Sequence, residues 1–552
     1  MKSLALSLVP LAALCGLLVS CGEREEVAPA PAGPDLPDLA SQPGMGVISE
    51  KCRGCHEEIH ETWRHSQHGL ANRYMEPAQD DARFAGQEFK AVVEKWLYKK
   101  EGESFRIEVD GTPHEPNLAI GESPLIQYLV PTEGGRWQTT STAWDTEKNC
   151  WFDTLDGDAR TSADWGHWTG RGMTWNVQCA WCHMTGLRTG YDPESDTYHS
   201  EWKEMGVGCT QCHGEILDEP HAGTGCLVDV EGQQELSPQL VMEACATCHS
   251  RRGELDEDFQ IGDRFADHFQ LTLPSAPHLY YADGQILGEV YVYGSLRMSR
   301  MGHAGVTCLD CHDPHEAEVK FPLGTNAVCM QCHATGSNGR LDGATVIDPL
   351  THGQHEPGGV GSGSLCIDCH MTHTTYMGND PRRDHGFHIP DPLLTKELGI
   401  PNACNKCHTD QSVEWAIEAT DKWWGKKMER PERARTRAIA RAFGGDREAL
   451  PALLEVYPQQ ENPMWKATLL QIMQPWATDP RVQELARTAI GSSEPHLRAS
   501  ATALLEFGPG NEALLAAMGK DPVKEVRLAA AWAMRRDLKL RSPLGKELEA
   551  VM

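Results

Sequence analysis

A chain of 552 residues with a 40% hydrophobic fraction is long enough for two or three domains and a sizeable core. Its net charge of −29 argues against nucleic acid or an anionic lipid surface as a partner. Twenty cysteines are the outlier, and their spacing must decide between disulfides, metal and a covalent cofactor.

The chain opens with Lys2 and an apolar run over 4–19, short for a membrane span and right for a signal-peptide core. It ends in Leu18-Val19-Ser20-Cys21, which looks like a lipobox and makes Cys21 the expected lipid acceptor; an ordinary cleaved signal is the alternative. Residues 1–21 are therefore read as a signal peptide with lipobox. Residues 22–45, rich in Pro, Ala, Glu and Asp, read as a flexible linker. Either way the chain is expected to be exported, as a periplasmic or outer-membrane lipoprotein.

Over residues 46–410 the pattern Cys-x-x-Cys-His occurs eight times. The copies are Cys52/Cys55/His56, Cys179/Cys182/His183, Cys209/Cys212/His213 and Cys245/Cys248/His249, then Cys308/Cys311/His312, Cys329/Cys332/His333, Cys366/Cys369/His370 and Cys404/Cys407/His408. Two thiols at this spacing add to the two vinyl groups of one haem, and the adjoining imidazole reaches the iron. Zinc sites do not require a histidine after every second cysteine, and iron–sulfur proteins pack their cysteines into dense runs. The expectation is eight covalently attached haems c, which themselves form the core that short helices and loops wrap. Cys150 and Cys226 remain, and in an oxidising compartment they read as a disulfide or as two buried thiols.

An iron that only carries electrons needs a sixth ligand. Sixteen histidines outside the motifs lie between residues 46 and 410, twice the demand. The favoured distal ligands are His68, His167, His221, His303, His315, His355 and His385, with His268 for the remaining place. His352 and His355 are expected to compete for one iron. Methionines such as Met301 would raise an iron's potential if they ligated it, but the histidine surplus favours low-potential bis-histidine haems.

These residues resemble a group of exported multihaem cytochromes c, of the cytochrome c-554 type and more distantly the octahaem hydroxylamine oxidoreductases. The matching stretches are Trp63-Arg64-His65-Ser66-Gln67-His68, His167-Trp168-Thr169-Gly170 with Trp175-Asn176, Tyr281-Ala282-Asp283-Gly284-Gln285 and His303-Ala304-Gly305-Val306-Thr307. The doubled motif from Cys308 to His333, Asp380-Pro381-Arg382-Arg383-Asp384-His385 and Pro401-Asn402-Ala403-Cys404 complete them. The resemblance, over roughly residues 48 to 420, implies a mostly helical, haem-packed fold with haems in close pairs, and electron transfer as the shared function. Reductases resembling this group mark a catalytic haem with a lysine after one CxxC; here every motif ends in His. The crosslinking tyrosine that the resemblance would place on long C-terminal helices has no matching context.

After His408 cysteine disappears, and Ala, Leu, Arg and Glu dominate. Stretches 431–443, 463–476, 495–507 and 522–535 each open near a proline, with Arg435, Lys466, Arg498 and Arg527 at matching positions. Residues 411–552 are read as a HEAT-like α-solenoid, with TPR-like or irregular helical hairpins as alternatives, serving protein docking or capping the haem domain. The expected fold is thus mainly α: short helices and loops wrapping haems, followed by the solenoid. The expected function is electron transfer between redox partner proteins, other cytochromes or quinol-linked complexes, with a lipid tether at Cys21. The alternative is an oxidoreductase acting on a small nitrogen or sulfur compound at one open haem, helped by Asp283, His278 or Tyr281.

Overall fold

The computed structural model describes residues 48–155, 157–214 and 237–552. The expected signal peptide, lipobox and linker lie outside these residues.

The first motif sits on the short helices Glu50–Arg53 and Glu57–Arg64. The chain then departs from the mainly α expectation. Residues 72–153 form a five-stranded and a four-stranded antiparallel sheet. The first runs Asn72–Tyr74, Leu118–Ile120, Leu125–Thr132, Arg136–Asp145, Cys150–Asp153; the second is the meander from Ala85–Lys90 to Thr112–His114. The local sequence dictates this. Ser104–Val109 alternates polar and apolar residues and buries Phe105, Ile107 and Val109 on one face.

Between the sheets lies an aromatic core of Phe84, Trp96, Tyr98, Tyr128 and Trp151. Tyr98 stacks on Trp151 with ring centres 3.4 Å apart and donates its hydroxyl to Thr142 at 2.6 Å. Each ring buried there contributes roughly 3 kcal/mol. At its edge the fully buried Asp80 accepts from both Nη atoms of Arg73 (2.9 and 3.1 Å), from Arg83 at 2.9 Å and from the Tyr128 hydroxyl at 2.8 Å. The interval between the first motif and the second carries no motif, so its residues bury each other instead of a cofactor.

From Cys179 onward elements are short and end on the motif histidines: Ala180–His183, Cys209–His213, Pro238–His249, Ala327–His333 and Cys366–His370. One helical turn places residues i and i+3 on the same face, which aims both thiols of a motif the same way.

The C-terminal region is helical, and Pro431, Pro463, Pro480, Pro495 and Pro543 each occupy the first helical position, where the missing N–H costs nothing. Helix Pro463–Ile472 packs on Pro495–Leu505, which packs on Lys524–Ala533. One apolar core runs from Met242 and Phe269 through Leu470 to Leu515, across the expected boundary at residue 410. Polar ties cross it too: Trp465 Nε1 donates to Met298 O at 3.2 Å, and Arg297 pairs with Glu494 at 2.8 Å.

Candidate haem sites

All motif residues from Cys179 to Cys404 except Cys209 wall one cavity of about 2730 Å³. An iron held by two opposed imidazoles lies about 2 Å from each nitrogen, and each ring centre about 1.1 Å behind it, so the ring centres stand about 6.2 Å apart. Five motif histidines face a second histidine at that spacing. The pairs are His249 with His68 (6.2 Å), His213 with His315 (6.1 Å), His312 with His385 (6.2 Å), His370 with His352 (6.2 Å) and His408 with His355 (6.0 Å). That spacing leaves room for a metal ion between the two rings of each pair.

The ring tautomers agree. A carbonyl can only accept, so an Nδ1 bonded to one is protonated and leaves the lone pair on Nε2. His183, His333 and His370 donate Nδ1–H to the carbonyls of Ala71 (2.8 Å), Thr345 (2.7 Å) and His388 (2.8 Å). His68, His355 and His385 do the same to Pro314 (2.9 Å), Gly353 (2.6 Å) and Arg383 (2.9 Å). Such bonds also fix ring orientation. Burial pushes His249 down to about 4, with the His68 ring adding to the effect, which keeps it neutral and able to ligate.

Two expected ligands are corrected. His167 accepts the Thr169 N–H at Nδ1 (3.2 Å), so its proton is on Nε2, which donates to Glu94 at 3.0 Å. No lone pair remains for iron. His268 spends Nδ1 on Asp256 at 2.5 Å and Nε2 on Asp263 at 3.3 Å, in a cluster that Lys524 completes. Both histidines hold loops. A third correction concerns His352 and His355, which face two different motif histidines rather than competing for one. The end of the short helix Pro349–His352 and the turn after it splay their rings apart. His303 lines the cavity, His221 and Cys226 lie outside the described residues, and Cys150 is an exposed free thiol.

The first and last motifs are not wrapped as the others are. Cys55 and His56 of the first motif and Cys407 of the eighth are exposed, and none of the three lines the cavity. The reason is position. Cys55 and His56 fall in the turn between the helices Glu50–Arg53 and Glu57–Arg64, where only the Cys52 side of the motif packs against another segment, at Cys209. Cys407 ends the short helix Ala403–Cys407, whose inner side carries Cys404 into the cavity wall and whose outer side meets solvent. His56 also faces no second imidazole among the described residues, unlike His408, which His355 opposes.

Neighbouring motifs touch through their cysteines. The side chains of Cys52 and Cys209, Cys182 and Cys248, Cys245 and Cys308, and Cys329 and Cys366 adjoin each other. Cys212 lies within electrostatic reach of Cys248, Cys311 of Cys332, and Cys369 of Cys404. Numbered along the chain, the motifs form the file 1–3–4–5–6–7–8, with motif 2 branching from motif 4. The exposed residues Cys55, His56 and Cys407 therefore stand at its two ends.

At the branch, among the described residues, no second imidazole is paired with His183. The wall beside it carries Tyr291, Glu289 and Arg382. Arg382 pairs with Glu289 at 2.8 Å and lies 5.7 Å from the Tyr291 ring, whose backbone takes the left-handed φ of 59°. Sequence reading missed these residues, because they lie far along the chain from the second motif.

Two family models match the chain. Cytochrome c554 and c-prime covers residues 137–214, and the doubled CXXCH motif covers residues 302–338. A stretch of 146 residues is 25% identical to the multiheme cytochrome MtrA of Shewanella baltica (strain OS185), covering 23% of this chain and 43% of that protein. The chain therefore spans less than half the length of this relative. The crystal structure of the outer cell wall cytochrome OcwA superposes with a TM-score of 0.48 at 17% identity, covering 77% of this chain and 98% of that one. The motifs and the two family matches make the chain similar to multihaem c-type cytochromes, which bind haem c covalently through CxxCH motifs.

Proposed function

We propose that the chain is an exported electron conduit carrying eight haems c, most of them bis-histidine, which passes electrons between partner proteins. The observation that carries this reading is the set of five opposed histidine pairs at 6.0–6.2 Å, joined by contacts between attachment cysteines into one file. Haems held by these residues would supply one-electron iron centres. The chain's residues do the rest: Nδ1–carbonyl bonds orient the ligands, burial excludes water, and paired imidazoles close the irons to substrate. Exposure of Cys55 and His56 at one end of the file and of Cys407 at the other suits entry and exit points for electrons. Export to the periplasm or outer membrane through the signal peptide, with a lipid on Cys21, suits a carrier of this acidity. The C-terminal helices, read as a HEAT-like solenoid, cap the haem region and offer a docking surface.

Intact mass of the holoprotein tests the haem count, and electron paramagnetic resonance with a potentiometric titration tests the ligation. Eight covalent haems with predominantly low-spin ferric signals at low potentials are expected. Fewer than eight haems, or mostly high-spin signals, would overturn the reading.

A second reading rests on the unpaired His183. A haem at the second motif would be open on the side of Tyr291 and Arg382, where a small nitrogen or sulfur oxyanion could meet a cation. A high-spin ferric signal that shifts on adding nitrite or hydroxylamine favours it; its absence removes it.

A further inference from the structure

The four cations at matching positions of the C-terminal repeat do not behave alike. Arg498 makes a bidentate pair with Asp521 at 2.8 and 2.9 Å, and Arg527 pairs with Glu547. Lys466 lies 6.0 Å from the centre of the Tyr457 ring. Arg435 is the exception. It is only 8% exposed, its guanidinium stacks 3.6 Å from the Trp465 ring centre, and Nη1 donates to Gln460 at 2.9 Å. Among the described residues no carboxylate lies within ion-pair distance, and Nε has no hydrogen-bond partner. A guanidinium buried this deeply without a counter-charge is strongly unfavourable, and burial pushes it down to about 10.

Arg435 is not alone in lacking a partner. Arg430 Nε and Thr436 Oγ1 are also buried without a hydrogen bond, whereas His388 Nε2 pairs with Asp384 at 3.4 Å. These residues line the same cavity as the motif cysteines. Asp391 takes Arg430 at 2.6 Å and Arg433 at 2.7 Å, Asp283 accepts from Gln285, and Glu432 takes Arg300 through Oε1 with its Oε2 left without a bond. Three donor-bearing groups with an unmet hydrogen bond on one wall describe a place for a further acceptor. The site adjoins the haem positions directly. His388 gives its carbonyl to His370 Nδ1, and the Trp424 ring lies 5.7 Å from His352, the ring opposed to His370.

We infer that Arg435, with Arg430 and Thr436, binds anionic oxygens at the wall where the C-terminal helices close the haem cavity. Two sources share that chemistry: a propionate of a haem held at His370 or His312, and a small free oxyanion. The inference rests on the haem reading above. It gives the C-terminal helices a part in cofactor binding that a solvent-facing repeat would not have. A cation held against a propionate favours the reduced haem, because it offsets the added electron.

The test uses the full-length holoprotein as wild type, Arg435→Gln, Arg435→Lys and Arg430→Gln. Each is titrated potentiometrically with and without inorganic phosphate at constant ionic strength. Intact mass reports haem loading separately, so a wild type without haem would sink the underlying reading before this one is reached. If the acceptor is a propionate, R435Q lowers the midpoint of one haem by a factor of ten or more in its reduction equilibrium, about 59 mV for one electron. R435K then retains most of the wild-type value, R430Q shifts the same haem less, and phosphate has no effect. If the acceptor is a free oxyanion, phosphate lowers that midpoint in wild type and not in R435Q. Less than a twofold change in both R435Q and R430Q, with no phosphate effect, would overturn the inference and leave Arg435 as a packing partner of Trp465. Should R435Q fail to fold, the R430Q and phosphate arms still decide.

Discussion

Replacing Asp80 by Asn removes the buried carboxylate that holds both Nη atoms of Arg73 inside the sheet region. Arg73 is 2% exposed and Asp80 fully buried, and the carboxylate accepts from Arg73 twice, from Arg83, from the Tyr128 hydroxyl and from the Glu76 N–H at 2.8 Å. The amide keeps the shape, but its NH2 faces donors, and the buried guanidinium keeps only the half-exposed Glu122, 3.9 Å from its Nε. Breaking such a pair by removing one partner costs about 3–5 kcal/mol. At about 1.4 kcal/mol per tenfold, amide protection across residues 96–130 should fall by about 10²–10³-fold in native-state hydrogen exchange. Local exchange is the assay of choice because a chain of this size need not unfold in one step. The effect should depend on pH. Burial alone would raise the Asp80 carboxyl, but the bonds from Arg73 outweigh it and hold the group below its ordinary value. A depressed carboxylate contributes stability above its unfolded pKa, about 4, and loses it as pH falls through the folded value. Wild-type protection should therefore decline below about pH 4, while D80N shows a flatter profile. Because the neighbouring strand follows Ala71, whose carbonyl orients His183, the variant should also disturb the haem at the second motif. A loss of protection smaller than tenfold would refute the reasoning.

Three further outcomes are expected. His352→Ala and His355→Ala should each convert one low-spin ferric haem to high spin, and the double variant two; a double variant showing only one new high-spin haem would mean that the rings serve one iron. His167→Ala should leave the low-spin spectrum intact while costing about 1–3 kcal/mol of local stability through the unpaired Glu94; a new high-spin signal would restore His167 as a ligand. His496, buried against Glu525 at 2.7 Å, is lowered by burial and raised more strongly by that carboxylate, so its folded pKa lies above the ordinary 6.5. Its contribution is complete below about pH 6.5 and lost as pH rises through the folded value. Melting of the C-terminal helices, followed by circular dichroism, should weaken on that alkaline limb and become insensitive to pH in His496→Gln.

The covalent chemistry was legible at once, because the CxxCH spacing is a local requirement: two thiols and an imidazole must reach one cofactor within a single turn. The sheets were not, although the pattern of Phe105, Ile107 and Val109 was in view. The expectation that haems form the core passed over the interval before Cys179, which carries no motif and has to form a core of its own. Identical motifs also carry no mark of which ones end the file, so the exposure of Cys55, His56 and Cys407 had no local signal.

By itself, the sequence pointed to covalent haem c at CxxCH motifs and to the proline-led C-terminal helices, both of which depend on neighbours a few positions apart. Only the tertiary structure decided which histidine faces which. His68 meets His249, and His312 meets His385, across folds that no spacing rule connects. The same is true of the exclusions. His167 looked like a ligand from its motif context, and Glu94, brought from a distant strand turn, holds the nitrogen that iron would need. Ligation depends on where a lone pair points, and that direction is set by packing and hydrogen bonds between segments distant in the chain.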